Sequence, residues 1–168
     1  EPAGQRAPVG LALAPAPDQL LWDVGAGCGS VAIEWMRSTR SCEALAFESN
    51  PDRLKMLAAN ADRLGAPRLK IVAGEAPASL AGPAPDAVFI GGGLGIPGVF
   101  ETAWENLKPG GRMVINVVTL EGELHLYDLQ EKHGGDLVRL EVSHLHRIGP
   151  LRALKPRMAV TQWRAQKP

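Results

Sequence analysis

Short apolar runs alternate along most of the chain with longer stretches in which apolar residues recur every three or four positions. The short runs predict strands, and they cover residues 20–24, 44–48, 69–73, 86–90, 112–118, 137–142 and 159–163. The longer stretches predict helices that begin near residues 30, 51, 100 and 120. This alternation indicates an α/β fold with a doubly wound, mainly parallel, seven-stranded sheet.

The first 18 residues break the pattern, since they are rich in alanine, proline and glycine and show no clear periodicity. We therefore expect a linker-like segment over 1–18 and a single domain over 19–168. A chain of 168 residues is long enough to give such a domain an ample core.

A strand–turn–helix corner organises the chain. The apolar run 20–24 gives way to glycines at alternate positions, 25, 27 and 29, and an apolar helical stretch follows at once. Glycines let backbone N–H groups approach a ligand closely, and a helix start adds unpaired donors and a partial positive charge. A purely structural turn is the alternative. The pattern predicts cofactor contacts from Asp23, Gly25, Ala26, Gly27, Cys28 and Gly29.

The glycine spacing separates this corner from a dinucleotide fingerprint, G-x-G-x-x-G. Here the third glycine comes one residue early, and Ser30 stands where the fingerprint has glycine. The resulting Asp-x-Gly-x-Gly-x-Gly pattern resembles the first motif of class I S-adenosylmethionine (SAM) methyltransferases. This resemblance implies a Rossmann-like fold.

Two later strand ends are predicted to complete the cofactor site. Glu48 ends the second strand twenty-five residues after Asp23, where a carboxylate can accept both ribose hydroxyls of an adenosine; a solvated acid is the alternative. The third strand ends where an adenine would lie, and a side chain that faces solvent is the alternative for Glu75. The cofactor contacts predicted at the ends of the second, third and fourth strands are Glu48, Ser49, Gly74, Glu75, Ala76 and Gly91.

The ends of the fourth and fifth strands are predicted to bind substrate. Gly91, Gly92 and Gly93 give a low floor for a large flat molecule, although a flexible loop would show the same residues. Asn116, Thr119 and Glu121 follow the fifth strand as weaker candidates for substrate contact or proton handling. Because ligands of such sheets sit outside the carboxyl ends of the strands, we expect Gly29, Glu48, Gly93 and Thr119 to border one crevice.

Charge is balanced overall but not along the chain. The net charge is zero, which favours neither nucleic acid nor membrane as partner, yet residues 144–168 hold six basic residues and no acid. Arg147, Arg152 and Arg157 are therefore predicted to bind an anionic substrate, with a solvated face as the alternative. His144 and His146 alternate on a strand-like stretch, which is more often structural than catalytic.

Cysteine usage and hydropathy indicate the cellular compartment to expect. Cys28 and Cys42 form neither a disulfide framework nor a metal pattern with histidine, so we expect no metal site and a reducing, cytoplasmic compartment. No signal peptide or membrane-spanning stretch is recognised.

Several motifs together resemble the decarboxylating precorrin methyltransferases of cobalamin biosynthesis. The resemblance covers roughly residues 20–163. The glycine turn at residues 25–29 is generic to class I methyltransferases, whereas the glycines at 91–93 and the Val-Thr-Gln-Trp ending are more specific to this family. The matching motifs are residues 21–35, Gly74-Glu75-Ala76-Pro77, Phe89-Ile90-Gly91-Gly92-Gly93, Leu107-Lys108-Pro109-Gly110-Gly111-Arg112 and Val160-Thr161-Gln162-Trp163. Residues 4–9 do not match the Thr-Lys segment that family members carry upstream of the first strand.

This resemblance implies an activity and partners. It implies SAM bound by Gly25 to Gly29, Glu48 and the backbone near Ala76, and converted to S-adenosylhomocysteine. It implies methylation of C15 of a precorrin, a tetrapyrrole, with loss of CO2 from the ring C acetate. It also implies a second precorrin methyltransferase domain, fused or separate, and a homotetramer. No residue stands out as an essential base.

Two other function classes remain open from the sequence. One is a class I methyltransferase acting on RNA or another small molecule, such as a phenol. The balanced charge and the absence of an Asp/Asn-Pro-Pro-aromatic motif after the fourth strand speak against nucleic acid. The other is a non-catalytic SAM-binding scaffold, against which the intact Asp23, glycine corner and Glu48 speak.

Overall fold

The structure is a computed structural model that describes residues 9–10 and 12–168. Half of the predicted linker-like segment, residues 1–8 and 11, lies outside the described residues, and so does the unmatched stretch 4–9 except for residue 9. The elements in chain order are β1 Leu20–Val24, α1 Ser30–Ser38, β2 Glu43–Glu48, α2 Pro51–Arg63, β3 Lys70–Ala73, β4 Ala87–Ile90, α3 Val99–Asn106, β5 Arg112–Val117, α4 Leu120–His133, β6 Asp136–Leu140, β7 Ser143–Ile148, β8 Leu151–Pro156 and β9 Val160–Gln166.

Seven strands form one sheet in the order β3-β2-β1-β4-β5-β9-β6. The first five in this order are parallel, and β9 runs antiparallel between β5 and β6. The predicted doubly wound, mainly parallel, seven-stranded sheet is thus confirmed. The order reverses at β1, so the carboxyl ends of β1 and β4 flank the place where ligands of such sheets bind.

Both faces of the sheet are covered, which is why its central strands read as nearly continuous apolar runs. Leu21 belongs to the core beneath α1 and α2, whereas its neighbour Trp22 belongs to the core on the opposite face. Near the amino terminus, Val9 and Leu13 are also buried in the first core. Arg112 Nε donates a hydrogen bond of 2.7 Å to the carbonyl oxygen of Leu13.

Helix α2 begins as its sequence predicts. Asn50 is the N-cap, and its side chain accepts hydrogen bonds from the backbone N–H groups of Asp52 and Arg53, while Pro51 occupies the first helical position. Helix α4 also lies where it was predicted, but its apolar residues are distributed differently. Leu126 is the buried residue of α4, whereas Leu120 and Leu124 are exposed.

Strands β7 and β8 form a separate two-stranded hairpin, which was missing from the seven predicted strands. The two strands pair antiparallel across a turn at residues 149–150, and all but one of their residues are exposed. Since neither face of this hairpin is buried, its sequence lacks the apolar run that marked the strands of the large sheet. The basic stretch after residue 143 is therefore largely a projecting hairpin.

Candidate functional site

The carboxyl edge of the sheet brings the predicted cofactor segments side by side. The backbone N–H groups of Gly25 and Ala26 both donate to the carbonyl oxygen of Phe47, at 3.0 Å. On one side Gly74 N donates to Glu48 O at 3.1 Å, and on the other Gly91 N donates to Val24 O at 3.0 Å. The ends of β3, β2, β1 and β4 therefore form one continuous rim.

Residues 25–29, which we call the glycine corner, need glycine for conformation and for space. Gly25, Gly27 and Gly29 all have positive φ, at 71°, 59° and 82°. A Cβ on Gly25 would lie 3.0 Å from the backbone nitrogen of Gly92, and a Cβ on Gly29 would lie 3.0 Å from Leu57 Cγ. The glycine corner thus packs directly against the three-glycine segment 91–93, and α2 closes its other side.

Asp23 is buried beneath the glycine corner. Its Oδ2 accepts a hydrogen bond of 3.0 Å from the backbone N–H of Ala32, in the first turn of α1. A carboxylate at this position satisfies one helix donor and complements the positive end of the helix dipole. In this arrangement Asp23 holds the strand–turn–helix geometry from below, and its predicted direct contact with a cofactor stays a prediction.

Glu48 is 5% exposed, and its carboxylate is tied to three backbone N–H groups. Oε2 accepts from Gly27 at 2.8 Å, while Oε1 accepts from Ser49 at 3.0 Å and from Asn50 at 2.9 Å. A carboxylate offers about four acceptor positions, so these bonds leave room for few others. Glu48 therefore fixes the glycine corner to the end of β2, in addition to any contact with a ribose.

The remaining predicted cofactor residues differ in exposure. Cys28 is half-buried with a free thiol, and its carbonyl oxygen accepts a 3.0 Å hydrogen bond from Asn60 Nδ2 of α2. Gly74 has a φ of 152° and packs against Ser79, whose Cβ would lie 2.9 Å from a Cβ at position 74. The Glu75 side chain is exposed. The structure thus fixes the backbone of this strand end and leaves Glu75 facing outward.

A cavity of about 520 Å³, which we call the main cavity, opens beside the three-glycine segment. It lies between the ends of β4 and β5, the start of α4 and the segment before β9. Its walls combine glycine backbone, apolar side chains and a few polar groups: Gly91, Gly92, Gly93, Leu94, Gly95, Asn116, Val117, Val118, Thr119, Glu121, Gly122, His125, Arg157, Met158 and Val160.

The single crevice expected from the sequence is found in part. Gly93 and Thr119 both line the main cavity, as do Gly92, Asn116 and Arg157 among the predicted substrate residues. Gly29 and Glu48 are not among its lining residues, because both are buried within the packed glycine corner. The corner and the main cavity meet instead through the contact between Gly25 and Gly92.

Two of the predicted polar residues of the main cavity already have partners in the protein. Thr119 is the N-cap of α4, and its Oγ1 accepts a hydrogen bond of 3.1 Å from Gly122 N. Asn116 Oδ1 accepts a hydrogen bond of 2.9 Å from Gln162 Nε2 of β9. These bonds hold both side chains in place at the rim of the cavity.

Sequence reasoning missed His125 and Met158 as residues of the cavity wall. His125 lies one helical turn after Glu121, which had been singled out, so both side chains lie on one side of α4. That spacing was a usable signal. No comparable signal marked Met158, because its position depends on the hairpin that the sequence did not predict.

Arg147 and Arg152, also predicted to bind substrate, lie on the hairpin. They face each other across the β7–β8 ladder and are not among the lining residues of the main cavity. Arg157 follows β8 and does line it, with its backbone N–H donating 2.8 Å to Val142 O. The basic residues of this region are therefore divided between the cavity and the hairpin surface.

Asp86 holds the opposite edge of the sheet. Its Oδ2 accepts from Leu20 N and its Oδ1 from Lys108 Nζ, each at 2.8 Å. Burial raises the pKa of Asp86, but the hydrogen bonds from Lys108 and Leu20 and the charges of Lys108 and Arg112 outweigh that effect. The pKa of Asp86 consequently lies below its ordinary value of 3.8.

Within residues 9–10 and 12–168, no three or more His, Cys, Asp or Glu side chains are grouped so as to hold a metal ion. The helices described there are all too short or too polar to cross a membrane.

The fold and the site define a class of protein. A seven-stranded sheet of this order, with a glycine corner after β1 and an acid at the end of β2, is the Rossmann-like fold of SAM-dependent methyltransferases. The family model of the precorrin methyltransferase domain matches residues 4–167. The chain belongs to that family.

Individual relatives agree with this assignment. A precorrin-6Y C(5,15)-methyltransferase (decarboxylating) from Sinorhizobium sp is 48% identical over 153 residues, which are 90% of this chain and 37% of that relative. The chain thus spans less than half of that longer protein. A cobalt-precorrin-6B C(15)-methyltransferase (decarboxylating) from Salmonella typhimurium is 38% identical over 152 residues, covering 88% of this chain and 78% of the relative.

A solved structure gives the same picture. The C-terminal domain of precorrin-6Y C5,15-methyltransferase from Rhodobacter capsulatus superposes with a TM-score of 0.90 at 40% sequence identity. The match covers 98% of this chain and 89% of that domain. The likeness therefore extends over the hairpin and β9 as well as the glycine corner.

Proposed function

We propose that this domain methylates C15 of a precorrin with SAM and releases the ring C acetate carboxyl as CO2. One observation carries the proposal: the glycine corner packs against the same three-glycine segment that lines the main cavity. A cofactor held at the corner and a macrocycle held in the cavity would then meet at residues 91–93. The names of the relatives supply the substrate class.

The corner has the properties that a SAM site requires. Its glycines adopt positive φ, so backbone rather than side chains borders the ligand there. The α1 N-terminus supplies a partial positive charge that suits the carboxylate of the methionine moiety. The Glu48 carboxylate and the backbone of residues 74–76 are the proposed contacts of the ribose and the adenine.

The proposed methyl transfer requires mainly that the ring carbon is aligned with the methyl group of SAM. Bound SAM supplies a strongly electrophilic methyl group, and an electron-rich ring carbon needs chiefly to be positioned against it. The low glycine floor allows a planar ring to approach, while Asn116 and Thr119 are held rigidly at its rim. The electron pair released by the departing carboxylate enters the conjugated macrocycle, so a dedicated base is not needed for that step.

The proposed assembly is a homotetramer, working with or fused to a second precorrin methyltransferase domain. The hairpin supports self-association, since four of its large apolar side chains are exposed by 61–71% and cluster on a projecting element: Leu145, Ile148, Leu151 and Leu154. The shorter span of this chain relative to its precorrin-6Y relatives supports the second domain.

The proposal is tested by incubating the purified protein with SAM and a late precorrin and measuring the product mass. The expected product has gained one methyl group and lost one CO2, and it fails to form when SAM is omitted. Binding of SAM without any change in the precorrin would favour a non-catalytic scaffold. Methylation of an RNA or a phenol, with the precorrin untouched, would overturn the substrate assignment.

A further inference from the structure

A second cavity, of about 440 Å³, lies at the base of the hairpin; we call it the hairpin cavity. His144 pairs with Lys155 across the β7–β8 ladder, and His146 lies two residues further along β7. Residues two apart on a strand share a face, so all three side chains project from the same side of the hairpin. The cavity is lined by His144, Leu145, His146, Lys155, Pro156, Arg157 and Met158.

The hairpin cavity is lined by cationic groups and hydrogen-bond donors without a compensating acid. Lys155 and Arg157 carry positive charge, and each imidazole offers at least one N–H donor. Across the described range 12–168, none of these four side chains forms an ion pair with a carboxylate. The acid that follows β6, Glu141, is already paired with Arg139 at 3.3 Å.

The hairpin cavity adjoins the main cavity. Arg157 and Met158 line both, so a molecule seated over the glycine floor can extend side chains past Arg157 toward Lys155. Arg147 and Arg152 lie on the opposite face of the hairpin and line neither of these cavities. Arg157 therefore borders both cavities, and Lys155 lies beside it in the hairpin cavity.

We propose that the hairpin cavity binds peripheral carboxylate side chains of the macrocycle that occupies the main cavity. Lys155 and Arg157 pair with the carboxylates, and His144 and His146 donate hydrogen bonds to them. Charge-assisted bonds of this kind are short and strong, and the bound anion removes the repulsion between neighbouring cations. This inference rests on the proposed function for its ligand class, a carboxylate-bearing tetrapyrrole, and assigns four side chains to recognition.

The test compares Lys155→Met with the wild-type protein in the SAM-dependent reaction of a late precorrin. We expect KM for the precorrin to rise about tenfold, which corresponds to the loss of one charge-assisted contact. Neither kcat nor the affinity for S-adenosylhomocysteine should change more than about twofold, since Lys155 is not part of the glycine corner. Lys155→Arg should restore KM, and His144→Gln combined with His146→Gln should raise it by a smaller factor.

Lys55→Met is the matched control, because Lys55 is an exposed lysine on α2 whose ion-pair partner is its helix neighbour Asp52. A second arm measures binding of uroporphyrin I, which bears a carboxylate on every peripheral chain, and of its neutral methyl ester. Uroporphyrin affinity should fall in Lys155→Met and the ester's should not. Light scattering on each variant confirms that the oligomeric state is unchanged.

An unchanged KM and an unchanged uroporphyrin affinity in Lys155→Met would overturn the inference and leave the proposed function intact. A wild-type protein that binds SAM but does not turn over the precorrin would overturn the proposed function. The uroporphyrin arm would then still decide whether the hairpin cavity is an anion site. An equal loss of affinity for uroporphyrin and for its ester would also contradict the proposal, because charge would then not be involved.

Discussion

The glycine corner and the hairpin differ in how many of their polar and apolar groups find partners within the chain. In the corner, Glu48 accepts three backbone hydrogen bonds, Gly25 packs against Gly92, and Gly29 packs against Leu57. On the hairpin, leucine side chains are exposed and the basic groups lack ion-pair partners among residues 12–168. The corner is therefore built by contacts within the chain, whereas the hairpin leaves apolar and basic side chains exposed for the proposed partners.

The contact between the corner and the cavity floor gives the largest expected effect. Gly25→Ala adds a Cβ 3.0 Å from Gly92 N at a φ of 71°, so it strains the turn and pushes the floor away. We expect precorrin turnover to fall by roughly 100-fold, as for other displacements of about 1 Å at a reaction site. Steady-state kinetics measures this change.

Gly65→Ala is the control for backbone strain alone. Gly65 has a φ of 81°, close to that of Gly25, but a Cβ there meets no atom within 4 Å. It should lower stability by about 1 kcal/mol without changing turnover. Equal turnover in Gly25→Ala and the wild-type protein would show that the corner and the floor are not coupled.

Truncation of Glu48 tests the corner itself. Glu48→Ala removes the proposed ribose contacts and leaves the N–H groups of Gly27, Ser49 and Asn50 without their acceptor. A lost charge-assisted bond costs about 1.5–3 kcal/mol, so SAM should bind roughly tenfold more weakly or worse. Calorimetry measures the affinity, with Glu34→Gln, an exposed acid on α1, as control. Unchanged SAM affinity would discard the proposed ribose contact of Glu48.

The hairpin is tested through its exposed leucines. Leu145 and Leu154 are direct partners on the same face as Arg147 and Arg152. If this face is buried between copies, Leu145→Glu forfeits roughly 1.5–3 kcal/mol of apolar burial per site and adds a charge. Multi-angle light scattering should then report smaller species than for wild type. A protein that is monomeric before and after the substitution would contradict the proposed tetramer.

The smallest effect is expected at the edge far from the site. Asp86→Asn should cost about 1 kcal/mol of folding free energy at neutral pH, because the Lys108 contact is partly exposed. The folded-state pKa of Asp86 is lowered, so its contribution is complete above the ordinary value of 3.8 and is lost as pH falls through the folded-state pKa. Denaturant unfolding should show the variant and wild type converging in acid. A difference that grows in acid would contradict this.

These regions also differ in how well sequence predicts them. The run 20–30 follows local rules: an apolar strand, then glycines where φ is positive, then a helix start, and the structure has all three. The acid at position 48 was predicted at the end of a strand beside the corner. The three backbone N–H groups that donate to Glu48 were not predicted, because their positions depend on the paths of two loops.

Local sequence rules could not predict contacts between residues that are distant in the chain. Gly25 and Gly92 are each recognisable as turn residues, but only the pairing of β1 with β4 brings them together. The hairpin was missed because strand prediction relies on burial, and neither of its faces is buried in one chain. Met158 was missed as well, because its position in the cavity wall depends on the hairpin.

Gly92→Leu tests most directly whether one site, floored by residues 91–93, performs both proposed reactions. A Cβ at Gly92 meets no atom within 4 Å, and Gly92 lines the main cavity, so a leucine side chain there has room to extend into that cavity. Methyl transfer from labelled SAM and release of labelled CO2 are followed in parallel on this variant. We expect both rates to fall together while affinity for S-adenosylhomocysteine is nearly unchanged. Decarboxylation at the wild-type rate with methylation abolished would contradict it.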